Sequence, residues 1–140
     1  MGDVFVKASV STELAHRMIA AAEAKASEIG TPMVIAVCDE SGVLKALSRM
    51  DGAQLMSVQV AQDKAYTAAG FSMPSGGWYD FIKDDAPLAA GAVDGIERLV
   101  IFGGGFPITV DGQIVGAIGA SGGHYTQDVE VAQAGLAVLG

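Results

Sequence analysis

Three glycines in a row, Gly103, Gly104 and Gly105, stand between an apolar run and Pro107, and a second cluster, Gly119, Gly122 and Gly123, runs up to His124. Residues without a Cβ can take positive φ, let a flat ligand or another backbone come close, and turn successive N–H groups inward as an anion nest. The plain alternative is a tight turn or bulge, which glycines in strand-rich segments commonly mark. The first cluster is not a phosphate loop, because no Gly-Lys-Ser or Gly-Lys-Thr follows it. Nor is it a dinucleotide fingerprint: Ile108 stands where the third glycine belongs, and no helix begins there.

Acid–base and ligand chemistry has few carriers in this chain. There are two histidines, His16 and His124. If hairpin pairing makes the glycine clusters neighbours, the His124 imidazole hangs over a glycine-lined pocket as a ligand or as an acid and base near neutral pH. In that reading the amides of Gly103 to Gly105 and of Gly122 and Gly123 hold a carboxylate or enolate oxygen while His124 moves a proton. The alternative for His124 is a loop histidine bound to nearby backbone. Lys64 is a candidate partner for a substrate carboxylate, or else half of an ordinary salt bridge. Its neighbour Asp63 points about 100° away on a helix, so the two do not face one pocket. His16 points away from the apolar face of its helix, toward solvent or a neighbouring subunit.

The elements that must position these residues follow from periodicity and punctuation. Ser11 to Ile29 reads as a helix capped by Ser11 or Thr12 and stopped by Gly30 and Pro32, with Leu14, Ala15, Met18, Ile19, Ala22 and Ala26 on one face. Met33 to Cys38 and Val43 to Ser48, joined by Asp39-Glu40-Ser41-Gly42, read as a buried hairpin. Gln54 to Ala69 is a second helix with apolar residues on more than one side, which predicts a subunit contact. From Gly70 to Arg98 prolines and glycines predict an irregular excursion of roughly 28 residues, with at most two helical turns at Trp78 to Lys83. Strands return at Leu99 to Phe102, Pro107 to Val110 and Ile114 to Ala120, and Thr126 to Leu139 closes the chain as a helix. The order predicts an α+β fold on an antiparallel sheet.

Composition narrows the function classes. One domain, residues 1–140, fits the length. Hydrophobic residues make up 51% and mean hydropathy is +0.41, yet no apolar stretch approaches the roughly 20 residues of a membrane span. Excess apolar surface predicts a homo-oligomer. A net charge of -8 with scattered Lys and Arg argues against nucleic acid. Cys38 is the only cysteine, so neither an intrachain disulfide nor a cysteine-rich metal site is available. With no signal-peptide pattern at the start, a cytoplasmic protein is expected.

The segments Arg49 to Ala68 (RMDGAQLMSVQVAQDKAYTA), Phe102 to Gly123 (FGGGFPITVDGQIVGAIGASGG) and Gln127 to Leu136 (QDVEVAQAGL) resemble the GlcG/HbpS-like family, which is related to the C-terminal domain of PduO-type corrinoid adenosyltransferases. The resemblance runs in order along nearly the whole chain. It implies a profilin-like α+β domain, an antiparallel five-stranded sheet flanked by helices, assembled into homo-oligomers. It also implies haem as cofactor, for sensing, storage or slow degradation, with a corrinoid as the alternative. His16 falls on the first helix, where some PduO-type members carry a histidine iron ligand. Under this resemblance His16, His124, Lys64, Gly103, Gly104, Gly105, Phe106, Gly122 and Gly123 are the cofactor-binding candidates, His16 the metal ligand, and Lys64 a partner for a haem propionate. Two other readings stay open: a catabolic enzyme transferring protons on a small carboxylated metabolite, with His124 and Lys64 catalytic, and a non-catalytic accessory protein of a catabolic or corrinoid-linked pathway.

Overall fold

The computed structural model describes residues 2–140. Helix α1 (Thr12–Glu28) starts where the Ser11 hydroxyl accepts the Leu14 N–H at 3.0 Å, and ends before Gly30, which takes φ +74. Strands β1 (Val34–Asp39) and β2 (Leu44–Arg49) form the hairpin. Its turn is held by the Asp39 carboxylate, which accepts the N–H groups of Ser41 at 2.8 Å and Val43 at 3.1 Å. Helix α2 (Leu55–Phe71) follows, then a single 3-10 turn (Ser75–Gly77), α3 (Trp78–Ile82) and α4 (Ala86–Gly95). Strands β3 (Gly105–Val110) and β4 (Gln113–Ser121) and helix α5 (Tyr125–Leu136) complete the fold.

The sheet is antiparallel throughout, in the order β2-β1-β4-β3. Its inner strand β1 is covered on both faces, which is why the sequence there runs continuously apolar instead of alternating. Ile35, Val37, Ile118 and Ala120 face α1 and α5, whereas Val34, Ala36, Cys38 and Ala117 face α2. Complete burial of side chains such as Ile35 and Ile118 contributes about 1.5–3 kcal/mol each.

Helix α2 lies unusually close to the sheet. Gly105 and Gly119 are paired across β3 and β4. A Cβ on Gly119 would fall 2.7 Å from the Ala65 nitrogen and collide with the Ala61 carbonyl, and one on Gly105 would collide with the Lys64 carbonyl. The helix therefore rests on bare strand backbone, and two of the conspicuous glycines serve this contact.

Two expectations are corrected. The described residues form four strands, not five, because Leu99 to Phe102 pairs with no strand. Its backbone groups are taken by side chains instead: Thr67 Oγ1 donates to the Arg98 carbonyl and accepts the Val100 N–H, both at 3.0 Å, and Ser75 Oγ donates to the Phe102 carbonyl at 2.8 Å. The excursion is also more ordered than its prolines and glycines predict. Asp85 caps α4 by accepting the Leu88 N–H at 3.2 Å, and Pro87 sits in the first turn, where its missing N–H costs nothing. This excursion packs Trp78, Ile82, Ala92 and Leu99 into a small core of their own. No helix among the described residues is long and apolar enough to cross a membrane.

Candidate functional site

The expected site residues, Phe106 apart, separate into two regions on different walls of the fold. In the first, the loop from Phe102 to Gly104 and the loop from Gly122 to His124 come together over Lys64. Lys64 projects from α2 and is fully buried. Its ammonium donates to Asp128 Oδ2 at 2.6 Å and to the Ala120 carbonyl at 3.0 Å, with the Phe102 ring centroid 5.2 Å away. Burial pushes the lysine below its ordinary pKa, while the hydrogen bond and charge of Asp128 pull it back. Gly104, at φ +130, leaves room for this side chain: a Cβ there would lie 2.7 Å from Lys64 Nζ.

Asp128 is the hub. Its second oxygen accepts the Gly123 N–H at 3.0 Å, so one carboxylate ties α2, the glycine loop and the first turn of α5 together. The Gly105 N–H donates to Ser75 Oγ at 2.9 Å. Two of the five glycine amides singled out from the sequence thus already have partners inside the chain.

His124 is exposed and serves as the N-cap of α5. Its Nδ1 lies 2.9 Å from Thr126 Oγ1 and accepts the Thr126 N–H at 3.3 Å, while Gln127 Oε1 reaches back to the His124 N–H at 3.2 Å. A groove of about 410 Å³ runs past His124, Tyr125, Phe102, Gly122, Gly123 and Asp128, with Met56 and Val60 on its α2 side. Phe102 and Tyr125 also border an adjoining groove of about 580 Å³ toward Gly103, Tyr79 and Val129. Phe106 is placed elsewhere: it packs against the core beneath α1 and α5.

His16 belongs to the second region. It is exposed on α1 and lines a groove of about 480 Å³ with Ile19, Ala20, Glu23, Ala46, Leu47 and Ser48, between α1 and the edge strand β2. None of the described hydrogen bonds or ion pairs uses its imidazole. The structure brings Lys64, His124 and both glycine clusters to one end of the sheet and leaves His16 apart from them. Among the described residues, no three His, Cys, Asp or Glu side chains cluster as a metal site.

Asp128 is the principal residue that the sequence reading missed as a partner of Lys64. The signal was present: Asp128, Val131, Ala132 and Gly135 share one spacing and one buried face, so an acid there needs a buried cation. Ser75 and Thr67 carry no such signal, since a hydroxyl that clasps irregular backbone has no periodicity.

Comparison with known proteins agrees with this architecture. Residues 10–137 match the family model described as haem degrading protein HbpS-like, and the chain belongs to that family. It is 37% identical to Protein GlcG of Escherichia coli over 115 residues, covering 82% of this chain and 83% of that protein. The crystal structure of Klebsiella pneumoniae protein ORFY superposes with TM-score 0.91 at 31% identity, over 98% of this chain and 94% of that one. A crystal structure of a PduOC:haem complex superposes with TM-score 0.82 at 30% identity, over 92% and 94%. Against the whole corrinoid adenosyltransferase PduO of Salmonella typhimurium the chain is 31% identical over 89% of its own length and spans 37% of that protein.

Proposed function

We propose that this protein binds haem in the groove between α1 and β2, with His16 as axial ligand. The observation that carries the reading is the state of that imidazole. His16 is exposed beside an apolar wall and has no described partner, whereas His124 spends Nδ1 on capping α5. The donor set fits the group: a haem brings its own ring nitrogens and asks the protein for one or two axial ligands and apolar contact. Support also comes from the haem in the PduOC complex and from the description of the family.

When bound, the haem supplies a redox-active iron. The chain's part is to present one imidazole nitrogen from a rigid helix, to offer Ile19, Ala20 and Ala46 as an apolar wall, and to leave Glu23 and Ser48 at the polar rim. The groove lies at the sheet edge and covers one side of a flat ligand, and in the expected homo-oligomer a second copy would cover the other. The glycine-loop region serves the proton-transfer reading less well, because Lys64 and the Gly123 amide are already spent on Asp128 and the Gly105 amide on Ser75.

Haemin titration followed in the Soret region tests this, with aquocobalamin as the corrinoid comparison. A saturating shift lost in His16→Ala and kept in His124→Ala is expected. A shift unchanged in His16→Ala would overturn the assignment of the ligand, and no shift beyond that of a non-specific control protein would overturn haem binding itself.

A further inference from the structure

A separate pocket lies on the side of α2 that faces the β1–β2 turn. Gln62 and Tyr66 share one helical stripe there, and Lys64 is about 200° round from Gln62, so this pocket is distinct from the glycine-loop region. Its cavity of about 330 Å³ is lined by Arg98, Tyr66, Gln62, Gly42, Leu44 and Ala65, with Cys38 among its walls.

Arg98 is held there by several independent restraints. It is a non-glycine residue in the left-handed region, at φ +63. Such a backbone persists only where its surroundings over-determine it, and it concentrates at ligand sites. Here the restraint is Thr67, 2% exposed, whose hydroxyl donates to the Arg98 carbonyl and accepts the Val100 N–H, both at 3.0 Å. The side chain is fixed as well. Its Nε donates to Asp63 Oδ1 at 2.7 Å, and the guanidinium carbon sits 3.9 Å from the centroid of the Tyr66 ring. Tyr66 is in turn confined by the hairpin turn: a Cβ on Gly42 would lie 3.0 Å from the ring.

What remains is a stacked, partly exposed guanidinium whose two Nη groups enter none of the described hydrogen bonds. That planar pair of donors matches the two oxygens of a carboxylate. Asp63 has already balanced one positive charge and the chain carries -8, so a monoanion suits the site better than a phosphate dianion. The Cys38 thiol is buried, which raises it to about 11, so it adds no charge at neutral pH. Leu44 and Ala65 give the far wall its apolar character.

We propose that this pocket binds a small monocarboxylate with a short apolar tail, gripped by the Nη groups of Arg98. Propionate titrated into the full chain and followed by amide NMR shifts is the test. Saturable shifts confined to the region of Gly42, Tyr66 and Arg98 are expected, weakened at least about tenfold by Arg98→Gln. Gln62→Glu leaves Arg98 and its clasp untouched but puts a competing carboxylate in the pocket, and it is expected to weaken propionate to a similar degree. Scattered or non-saturating shifts, unchanged affinity in Gln62→Glu, or tighter binding of inorganic phosphate than of propionate would each overturn the proposal. If Arg98→Gln fails to fold, the Gln62→Glu result decides.

Discussion

Lys64 shows what a single residue does for this fold. A fully buried ammonium is tolerable only because the Asp128 carboxylate and the Ala120 carbonyl accept from it, and because its lining loops carry glycine where a side chain would displace it. Removing one partner leaves the other charge stranded. Lys64→Met is therefore expected to cost about 3–5 kcal/mol in denaturant unfolding, and the double variant Lys64→Met with Asp128→Leu to regain most of it, since a buried ion pair replaced as a unit by apolar groups is often close to neutral. A double variant as unstable as the single one would show that the pair itself carries the stability. The sequence offered the salt-bridge alternative for Lys64 but not its partner. Lysine in a polar-looking run reads as exposed, and only the apolar spacing around Asp128 hinted at a buried counter-charge.

At the level of elements, α2 is set by the backbone it rests on. Gly119→Ala is expected to push a Cβ into the Ala61 carbonyl and the Ala65 nitrogen and to cost at least about 1–3 kcal/mol, measured by thermal or denaturant unfolding. Gly112→Ala meets nothing within 4 Å but sits in a turn at φ +77, so it separates turn strain from helix contact. The segment before α1 obeys a different control. The Ser9 and Ser41 hydroxyls and Lys7 converge on Glu40, holding its carboxyl at about 2 against an ordinary 4.5. The unfolded chain takes up this proton first as pH falls, so the tie is complete above pH 4.5 and is lost progressively toward pH 2. The Glu40 side-chain carboxyl carbon followed by NMR should titrate near 2, and Ser9→Ala should move it upward; a midpoint at the ordinary value would remove the tie. Both of the first two helices, the hairpin and the last helix were legible, because caps, spacing and turn residues agree there. Leu99 to Phe102 was not: its apolar, β-branched run reads as a strand, and what prevents pairing is the clasp of Thr67 and Ser75 on its backbone, which no local pattern announces.

On the scale of the whole molecule, one antiparallel sheet carries three separate surfaces. The α1–β2 groove holds His16, whose imidazole enters none of the described hydrogen bonds, the glycine loops close over the Lys64–Asp128 pair, and the Arg98 pocket opens beside the hairpin turn. The family was readable from three ordered motifs, yet those motifs centre on the glycine loops, whereas His16, the proposed axial ligand, lies on α1, outside all three. Glycines that look like a cradle in the sequence serve, at Gly105 and Gly119, the packing of α2; that distinction depends on a helix coming from elsewhere in the chain. Haem binding in the α1–β2 groove, as proposed, stands or falls with axial ligation by His16. The most direct measurement is the absorption spectrum of the haemin-loaded protein for the wild type and His16→Ala, with and without added imidazole. Loss of the ligated spectrum in His16→Ala and its return with imidazole is the predicted result; a wild-type spectrum in the variant without imidazole would contradict it.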